Sequence, residues 1–315
     1  MRTVSNVVNG FDHVAADTRA RVLQVIGELN YQPSELARSL KVGRSGLIGL
    51  MLPELDMAYF AELTRAFVEG GAERGLTIVI EQTNGDRERE LAFLNRAATG
   101  ALFDALVASP LALTVDDVAS FSAEPLVFLG EDNFPGFDKV MVDNFQAAFE
   151  AVSHLTALGR QRIAAIGAEH TAHGSSSLRL DGYRAALAAA PSALPEIVEY
   201  VDNFHRPEGS AAMARLLARP DRPDAVFCFA DSLALGALRV LRQADVKVPE
   251  EIALVGWDDI EDGRFATPSL TTIGPDKRWI AQVALSRIAQ RLEQGALPAE
   301  ELIAPHRLIL RESCP

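Results

Sequence analysis

The sequence has little of what a secreted, membrane-bound or disulfide-stabilised protein needs. Its 315 residues include only two cysteines, Cys228 within an apolar run and Cys314 near the end. Two such distant thiols make no disulfide framework, and they fit a reducing compartment. The first thirty residues contain no apolar signal-peptide core, and no apolar run is long enough to cross a membrane. We therefore expect a soluble, cytoplasmic protein.

The motifs of common enzyme classes are also missing. The sequence contains no phosphate-binding loop ending in Gly-Lys-Ser/Thr, no Gly-x-Gly-x-x-Gly, no His-Glu-x-x-His and no Gly-x-Ser-x-Gly. His170 and His173 have the spacing of one helical turn, but no Cys or His close in sequence completes a zinc site, which favours a polar loop. We expect no metal, no cofactor and no catalysis, although the aspartates leave an undetected enzyme open.

Positive charge is scarce outside the first 45 residues. Residues 1–45 hold six Lys/Arg and four Asp/Glu, whereas the remainder holds 24 basic and 39 acidic residues, within a net charge of −13. An acidic body repels the phosphate backbone, so any contact with nucleic acid must come from the N-terminal piece. The length is sufficient for two domains plus an appendage.

The first 33 residues predict two short helices, at 2–8 and at about 17–29, and Asn9-Gly10 ends the first. This segment resembles the DNA-binding headpiece of the LacI/GalR family of bacterial transcription regulators. Three motifs carry the resemblance: Thr3-Val4-Ser5-x-Val7-Val8-Asn9-Gly10, Thr18-Arg19-x-Arg21-Val22 and Leu29-Asn30-Tyr31-x-Pro33.

The resemblance implies that residues 1–8 form the recognition helix, which reads base edges in the major groove. The DNA-contacting residues that it implies in this helix are Met1, Arg2, Thr3, Ser5 and Asn6. Arginine can bind guanine bidentately and asparagine can bind adenine, so the residue types suit direct readout. A helix-turn-helix also needs a preceding helix as a brace. We therefore interpret residues 1–32 as an incomplete headpiece, from a late start or a truncation.

Residues 33–46 combine a short apolar face, formed by Leu36, Ala37 and Leu40, with basic residues. A helix this short forms only when something packs on it. An ordinary interdomain linker is one interpretation. The succession of the Tyr-x-Pro motif, this short apolar helix and the apolar strand after it also resembles the hinge region of the LacI/GalR family. The resemblance implies that Leu40, next to Lys41, wedges into the minor groove of operator DNA.

From residue 47 the predicted strands and helices alternate, which indicates parallel sheets covered on both faces. The predicted fold class is α/β, with two doubly wound parallel-sheet lobes that resemble periplasmic binding proteins. The predicted divisions are a partial headpiece at 1–32, a hinge and linker at 33–46, an N-terminal lobe at 47–144 with about 275–301, and a C-terminal lobe at 145–274 with about 302–315.

Ligands of open parallel sheets collect at the carboxyl ends of the strands. The candidate effector-binding residues at such positions are Tyr59, Phe60, His173, Ser175, Arg179, Phe204, Asp231 and Asp258. The resemblance implies that Tyr59 and Phe60 stack on the rings of the effector. It also implies that Arg179, in Arg-Leu-Asp-Gly-Tyr, and Asp258 bind the polar groups of the effector.

Each candidate has a structural alternative. Phe60 could belong to the core face of its helix, Arg179 could lie on the surface at a helix start, and Phe204 could pack within its loop. Asp231 could cap the next helix. Carboxylate, arginine and aromatic walls together suit a polyhydroxylated ring, while a purine or another metabolite stays open.

The sequence thus predicts a transcription regulator, a repressor by type, that forms homodimers. Its two-lobed core binds a sugar-like effector, and effector binding changes its affinity for operator DNA allosterically. The alternative is a solute-binding sensor of the same fold without DNA binding. Operator DNA, the effector and a second copy are the expected partners, with no membrane among them.

Overall fold

The computed structural model describes residues 2–8, 13–29, 44–99, 102–119, 121, 125–170, 174–192, 194–295 and 297–315. Four predicted site residues lie outside these ranges: Met1, Leu40, Lys41 and His173. The side chains of Arg2 and Ser5 are not described either.

Strands and helices alternate along the chain from residue 47. The strands are β1 (Leu47–Leu52), β2 (Thr77–Gln82), β3 (Ala105–Ala108), β4 (Leu126–Leu129), β5 (Asp138–Val142), β6 (Ile163–Ala168), β7 (Ile197–Tyr200), β8 (Ala225–Cys228), β9 (Ala253–Trp257), β10 (Thr271–Pro275), β11 (Glu301–Ala304) and β12 (His306–Ile309). The helices are α1 (Arg2–Val8), α2 (Ala16–Glu28), α3 (Ala58–Ala72), α4 (Arg87–Thr99), α5 (Val115–Ala119), α6 (Asn144–Ala157), α7 (Ser175–Ala189), α8 (Arg206–Ala218), α9 (Asp231–Gln243), α10 (Glu261–Arg264) and α11 (Lys277–Gln294).

The strands form two six-stranded sheets, which confirms the predicted α/β class. The first sheet has the order β11-β5-β4-β3-β1-β2, and the second has the order β12-β10-β9-β8-β6-β7. The described pairings are parallel except for that of β10 with β12. Each sheet is the centre of one lobe, called here the first and the second lobe.

The predicted extended stretch at 302–310 is two strands, one in each sheet. β11 pairs with β5 of the first sheet, and β12 pairs with β10 of the second. The chain therefore crosses between the lobes at Pro305 and not near residue 301 as predicted. The two strands are similar in length and composition, so the sequence does not indicate which sheet each one joins.

Strand β5 escaped the sequence prediction because it begins with two charged residues, Asp138 and Lys139. Both are buried. The Asp138 carboxylate accepts hydrogen bonds from Arg291 and from the Glu300 amide, and Arg287 lies 3.0 Å away. A charged residue can lie in a buried strand when an opposite charge pairs with it, although its polarity alone would predict an exposed position.

The central strands are buried on both faces because helices cover both sides of each sheet. One core cluster joins the two lobes and includes the fully buried Phe67, Tyr183 and Trp257. A separate cluster in the first lobe contains Phe93, Phe103 and Phe128. Within the described ranges, none of the helices combines the length and the apolar character that crossing a bilayer requires.

Candidate functional site

A cavity of about 430 Å³ lies between the two lobes at the carboxyl ends of their strands. This size lies within the usual range for small-molecule sites, about 300–1,000 Å³. Six predicted effector-binding residues line it: Tyr59, Phe60, Ser175, Arg179, Phe204 and Asp258. We call this cavity the cleft.

Arg179 is the most firmly held side chain of the cleft. It lies in the first turns of α7, is 9% exposed, and therefore is not the surface arginine of the alternative interpretation. Its Nε donates to Asn144 Oδ1 at 2.7 Å, and its Nη1 donates to the Phe229 carbonyl. The guanidinium carbon lies 3.9 Å from the ring centroid of Trp257. These contacts fix the guanidinium plane against the end of the second sheet.

Asp258 directly follows β9 and is 8% exposed. Its φ of 119° lies in a region that residues other than glycine rarely adopt. Its amide donates to the Ile273 carbonyl at 2.7 Å, and its own carbonyl accepts from Lys277 Nζ, so both sides of this turn are held. Burial raises the pKa of its carboxyl group to about 7, although Arg179 and Lys277 oppose the rise.

Asp231 does not line the cleft, which corrects its assignment as an effector-binding residue. The side chain is fully buried: Oδ1 accepts from the Thr272 hydroxyl at 2.7 Å and Oδ2 from the Ile260 amide at 3.0 Å. It makes no side-chain cap of α9 either. A Cβ added at Gly256 would lie 2.1 Å from Asp231 Oδ1, so glycine leaves the space for this carboxyl group. Asp231 therefore supports the turn that carries Asp258 from beneath.

Tyr59 and Phe60 form an aromatic wall on the first lobe, at the start of α3. Their ring centroids are 5.2 Å apart at an interplanar angle of 72°. Both rings also pack against the core. Phe60 therefore has both of its proposed roles, since it belongs to the core face of its helix and also lines the cleft. Burial, together with Asp258 and Glu131, raises the pKa of the Tyr59 hydroxyl, so it stays protonated. Phe204 contributes from the second lobe and is half-buried.

Sequence reasoning did not predict four residues that interact with Arg179: Glu131, Asn144, Glu169 and Trp257. Glu131 and Glu169 each come shortly after a strand, so the strand-end rule could have found them. Asn144 joins the lobes, because its Nδ2 donates to Glu131 while its Oδ1 accepts from Arg179. No sequence signal indicates that bridge.

Besides the Asn144 bridge, three polar contacts between described residues join the lobes beside the cleft. His205 Nε2 lies 3.1 Å from Glu54 Oε2, and Glu62 Oε1 on α3 accepts from the Glu261 amide at 2.9 Å. Lys277 of α11, which packs on α3 of the first lobe, donates from Nζ to the Asp258 carbonyl. Partly exposed polar contacts are individually weak, and these add to the apolar core cluster that also joins the lobes.

The chain enters the first lobe at the amino ends of its strands, opposite the cleft. The Asp104 carboxylate, just before β3, accepts from the Ser45 amide at 2.6 Å, the Ser45 hydroxyl at 2.9 Å and the Gly46 amide at 2.8 Å. Gly46 has a φ of +72°, and Arg44 donates to the Leu292 carbonyl of α11. The start of the core is thus fixed to the first lobe alone.

The N-terminal helices α1 and α2 agree with the predicted ranges to within one residue. In α1, Thr3 is exposed, Asn6 is half-buried and Val7 is buried. In the parts of the chain that the structure describes, no group of three or more His, Cys, Asp or Glu residues is placed to hold a metal ion.

Comparison with known families matches both parts of the chain. Residues 1–34 match the family described as bacterial regulatory proteins, lacI family, and residues 152–314 match the periplasmic binding protein-like domain.

Curated relatives align over nearly the whole chain. The ribose operon repressor of Escherichia coli (strain K12) is 34% identical over 308 residues, which cover 95% of this chain and 92% of that protein. The HTH-type transcriptional repressor PurR of Mannheimia succiniciproducens is 32% identical over 315 residues, which cover 99% of this chain and 94% of that protein.

Solved structures show the same architecture. The lac repressor dimer bound to operator and the anti-inducer ONPF has a TM-score of 0.87 at 27% identity, covering 99% of this chain and 94% of that chain. The complex of the transcriptional regulator CelR with cellobiose has a TM-score of 0.75 at 28% identity, covering 98% of this chain and 94% of that chain.

Proposed function

This chain belongs to the LacI family of bacterial regulatory proteins, and on that premise we propose that it is a repressor whose cleft binds a sugar-like effector. Effector binding changes its affinity for operator DNA. The observation that carries the proposal is the arrangement of Arg179 and Asp258, two buried polar groups, at the wall of a cavity with aromatic sides. Because it acts on the chromosome, we place the protein in the cytoplasm.

The chemistry of the cleft supports a polyhydroxylated ligand. A sugar hydroxyl both donates and accepts, so it can accept from the Arg179 guanidinium and donate to the Asp258 carboxylate. The flat apolar faces of a sugar ring suit the Tyr59 and Phe60 wall. Two relatives point to the same class, since one represses the ribose operon and another was solved with cellobiose.

Coupling to DNA follows from the positions of the cleft and of residues 44–46, which lie at opposite ends of the first lobe. In a homodimer, each first lobe receives one chain from a linker, and Asp104 holds the end of it at Ser45 and Gly46. An effector that alters the angle between the lobes changes the spacing of the two linkers, and hence of the headpieces. We assign DNA contacts to Met1, Arg2, Thr3, Ser5, Asn6, Leu40 and Lys41 as predictions from the sequence.

A thermal-shift screen against pentoses, hexoses and disaccharides tests the effector class, because a ligand of the folded state raises the melting temperature. The best sugar is then titrated by calorimetry into the protein and into Arg179→Ala. We expect the variant to lose about ten- to a hundredfold in affinity, since a hydrogen bond to a charged group contributes about 1.5–3 kcal/mol.

Arg184→Ala is the matched control. Arg184 lies on the same helix but is exposed and pairs with Glu196, so affinity should not change. Fluorescence anisotropy with the DNA upstream of the protein's own gene, with and without the sugar, tests the coupling. A protein that no sugar stabilises, or whose affinity survives Arg179→Ala, contradicts the proposal.

A further inference from the structure

The charge of the cleft is strongly one-sided. Of the described residues that line it, six are acidic: Glu54, Glu131, Asp132, Glu169, Asp202 and Asp258. Arg179 is the single Lys or Arg among the described lining residues. A hydroxyl-binding site needs donors as well as acceptors, and the charged groups of this one are mostly acceptors, of which Asp132 already has an interaction within the protein.

The surplus is greatest around Arg179. The carboxylates of Asp258, Glu131 and Glu169 all interact with its charge. Two of its donor groups are already used within the protein, by Asn144 and by the Phe229 carbonyl. Arg179 therefore neutralises only part of the charge that surrounds it.

Lys277 is the other cation close to this site, and its ammonium group is occupied. Its Nζ donates to the carbonyls of Asp258 and Asp259 and lies 3.0 Å from Glu62 Oε2. The side chain is 12% exposed and is not part of the cleft wall. Among the described lining residues, a negatively charged ligand would thus have Arg179 as its one cationic partner, and that charge already interacts with three carboxylates.

We propose, building on the function proposed above, that the effector carries a protonated amino group on a polyhydroxylated ring, as an amino sugar does. An ammonium group supplies three donors and one positive charge, which are what the cleft lacks. A neutral sugar would bring no positive charge to these carboxyl groups, and a sugar acid or sugar phosphate would add repulsion at low dielectric.

The titration behaviour of the empty cleft agrees with this assignment. Burial raises the pKa of Glu131, of Glu169 and of Asp258, so in the absence of a ligand each is drawn towards its neutral form. A cation bound among them restores the charged form, because an opposite charge nearby favours ionisation.

The test compares ligands that share one ring and differ in charge. Glucose, glucosamine, N-acetylglucosamine and glucuronate form one set, and the four corresponding galactose compounds form another. We expect the amino sugar of the preferred set to bind at least tenfold more tightly than both neutral members in calorimetry at pH 7. We expect no detectable binding of the acid.

Variants then locate the effect. Glu131→Gln and Glu169→Gln keep the side-chain shape and remove the charge, so each should lower the preference for the amino sugar by about fivefold or more. Glu88→Gln, an exposed carboxylate on α4 outside the cleft, should leave it unchanged.

The outcomes separate the two proposals. A neutral sugar or a sugar acid that binds as tightly as its amino counterpart overturns the inference and leaves the sugar-responsive regulator standing. An unchanged preference in both glutamine variants overturns it as well. A protein that binds no member of either set contradicts this inference, and the proposed function falls with it only if the pentoses and disaccharides of the thermal-shift screen do not bind either.

Discussion

The two lobes contribute to the cleft in different ways. The second lobe presents Arg179, Trp257 and Asp258, which are buried and held by hydrogen bonds or packing. The first lobe presents Tyr59 and Phe60, which are half-buried. One lobe therefore holds its polar groups in place before a ligand arrives, whereas the other offers a wall that a moving lobe can bring to the ligand.

The difference has a thermodynamic consequence. Fixing a polar group in advance lowers the ordering cost of binding, so the second lobe contributes to affinity through preorganisation. The second lobe also buries polar groups in its core, and their hydrogen bonds affect the stability of the fold. We expect substitutions of buried polar groups in the second lobe to change stability, and those that hold Asp258 in place to change binding as well. Substitutions at the first-lobe wall should change binding with little effect on stability.

The largest expected loss of stability is that of Asp231→Ala in the second lobe. The substitution leaves the Thr272 hydroxyl and the Ile260 amide without their acceptor, and an unsatisfied buried donor costs about 1–3 kcal/mol. We expect the free energy of unfolding to fall by about 3 kcal/mol in urea denaturation. Effector affinity should fall too, because the turn that carries Asp258 loses its support.

Asp231→Asn is the control for this prediction. Burial and the neighbouring Asp258 raise the pKa of Asp231, so the neutral side chain of asparagine is close to the form that the site favours. The asparagine variant should keep most of the stability. Equal losses in the two variants would show that the hydrogen bonds of Asp231 are not what supports this turn.

The contrast between Asp231 and Asp258 also shows which features of the site the sequence alone could predict. Both aspartates come just after an apolar strand, and this position predicted both as effector contacts, although for Asp258 the family resemblance implied the same role. The structure turns one towards the cleft and the other into the core, because Gly256 leaves a space that the Asp231 carboxyl group occupies. Strand-end position predicts the edge of the sheet at which a side chain lies, but not the direction in which it points.

The sequence predicted the α/β architecture more completely than the details of the site. Apolar runs separated by amphipathic helices predicted β1, β3 and β4 at their observed bounds. Strand β5 was missed because its charges are satisfied by arginines more than 140 residues away in sequence. The bridge through Asn144 was missed because its partners, Glu131 and Arg179, lie in different lobes, and no sequence pattern indicates that they meet.

The effect expected from Asp258→Asn is a gain in stability, and it depends on pH. The folded-state pKa of Asp258, about 7, lies above its ordinary value of 3.8. Between these values the folded protein holds a proton that the unfolded chain has lost, so the free energy of unfolding falls as pH rises through this window. In the middle of the window, the slope from one such proton is about 1.4 kcal/mol per pH unit.

The asparagine variant removes this contribution while keeping a residue type that tolerates positive φ. Its stability should therefore match the parent near pH 4 and exceed it at pH 7, as measured by denaturation at several pH values. Asp231 titrates in the same core and retains part of the slope in both proteins. A variant whose slope equals that of the parent would show that Asp258 ionises normally in the folded state.

The smallest expected effect is that of Tyr59→Phe, which tests the first-lobe wall by removing one hydroxyl. Within the described residues, no hydrogen bond to this hydroxyl is formed, and it borders the cleft. Stability should not fall. Effector affinity should fall about two- to tenfold, since one neutral hydrogen bond contributes about 0.5–1.5 kcal/mol.

Tyr183→Phe removes the equivalent hydroxyl from the second lobe and completes the comparison. The Tyr183 hydroxyl donates to the Ile163 carbonyl at 2.8 Å and accepts from the Ile197 amide at 3.0 Å, deep in the core of the second lobe. Its loss should lower the free energy of unfolding by about 1–3 kcal/mol and leave effector affinity unchanged. Each variant deletes a single oxygen atom. If one loses affinity and the other loses stability, the difference reflects the lobe in which that atom lies. If both variants lose stability alone, or affinity alone, the division of roles between the lobes is wrong.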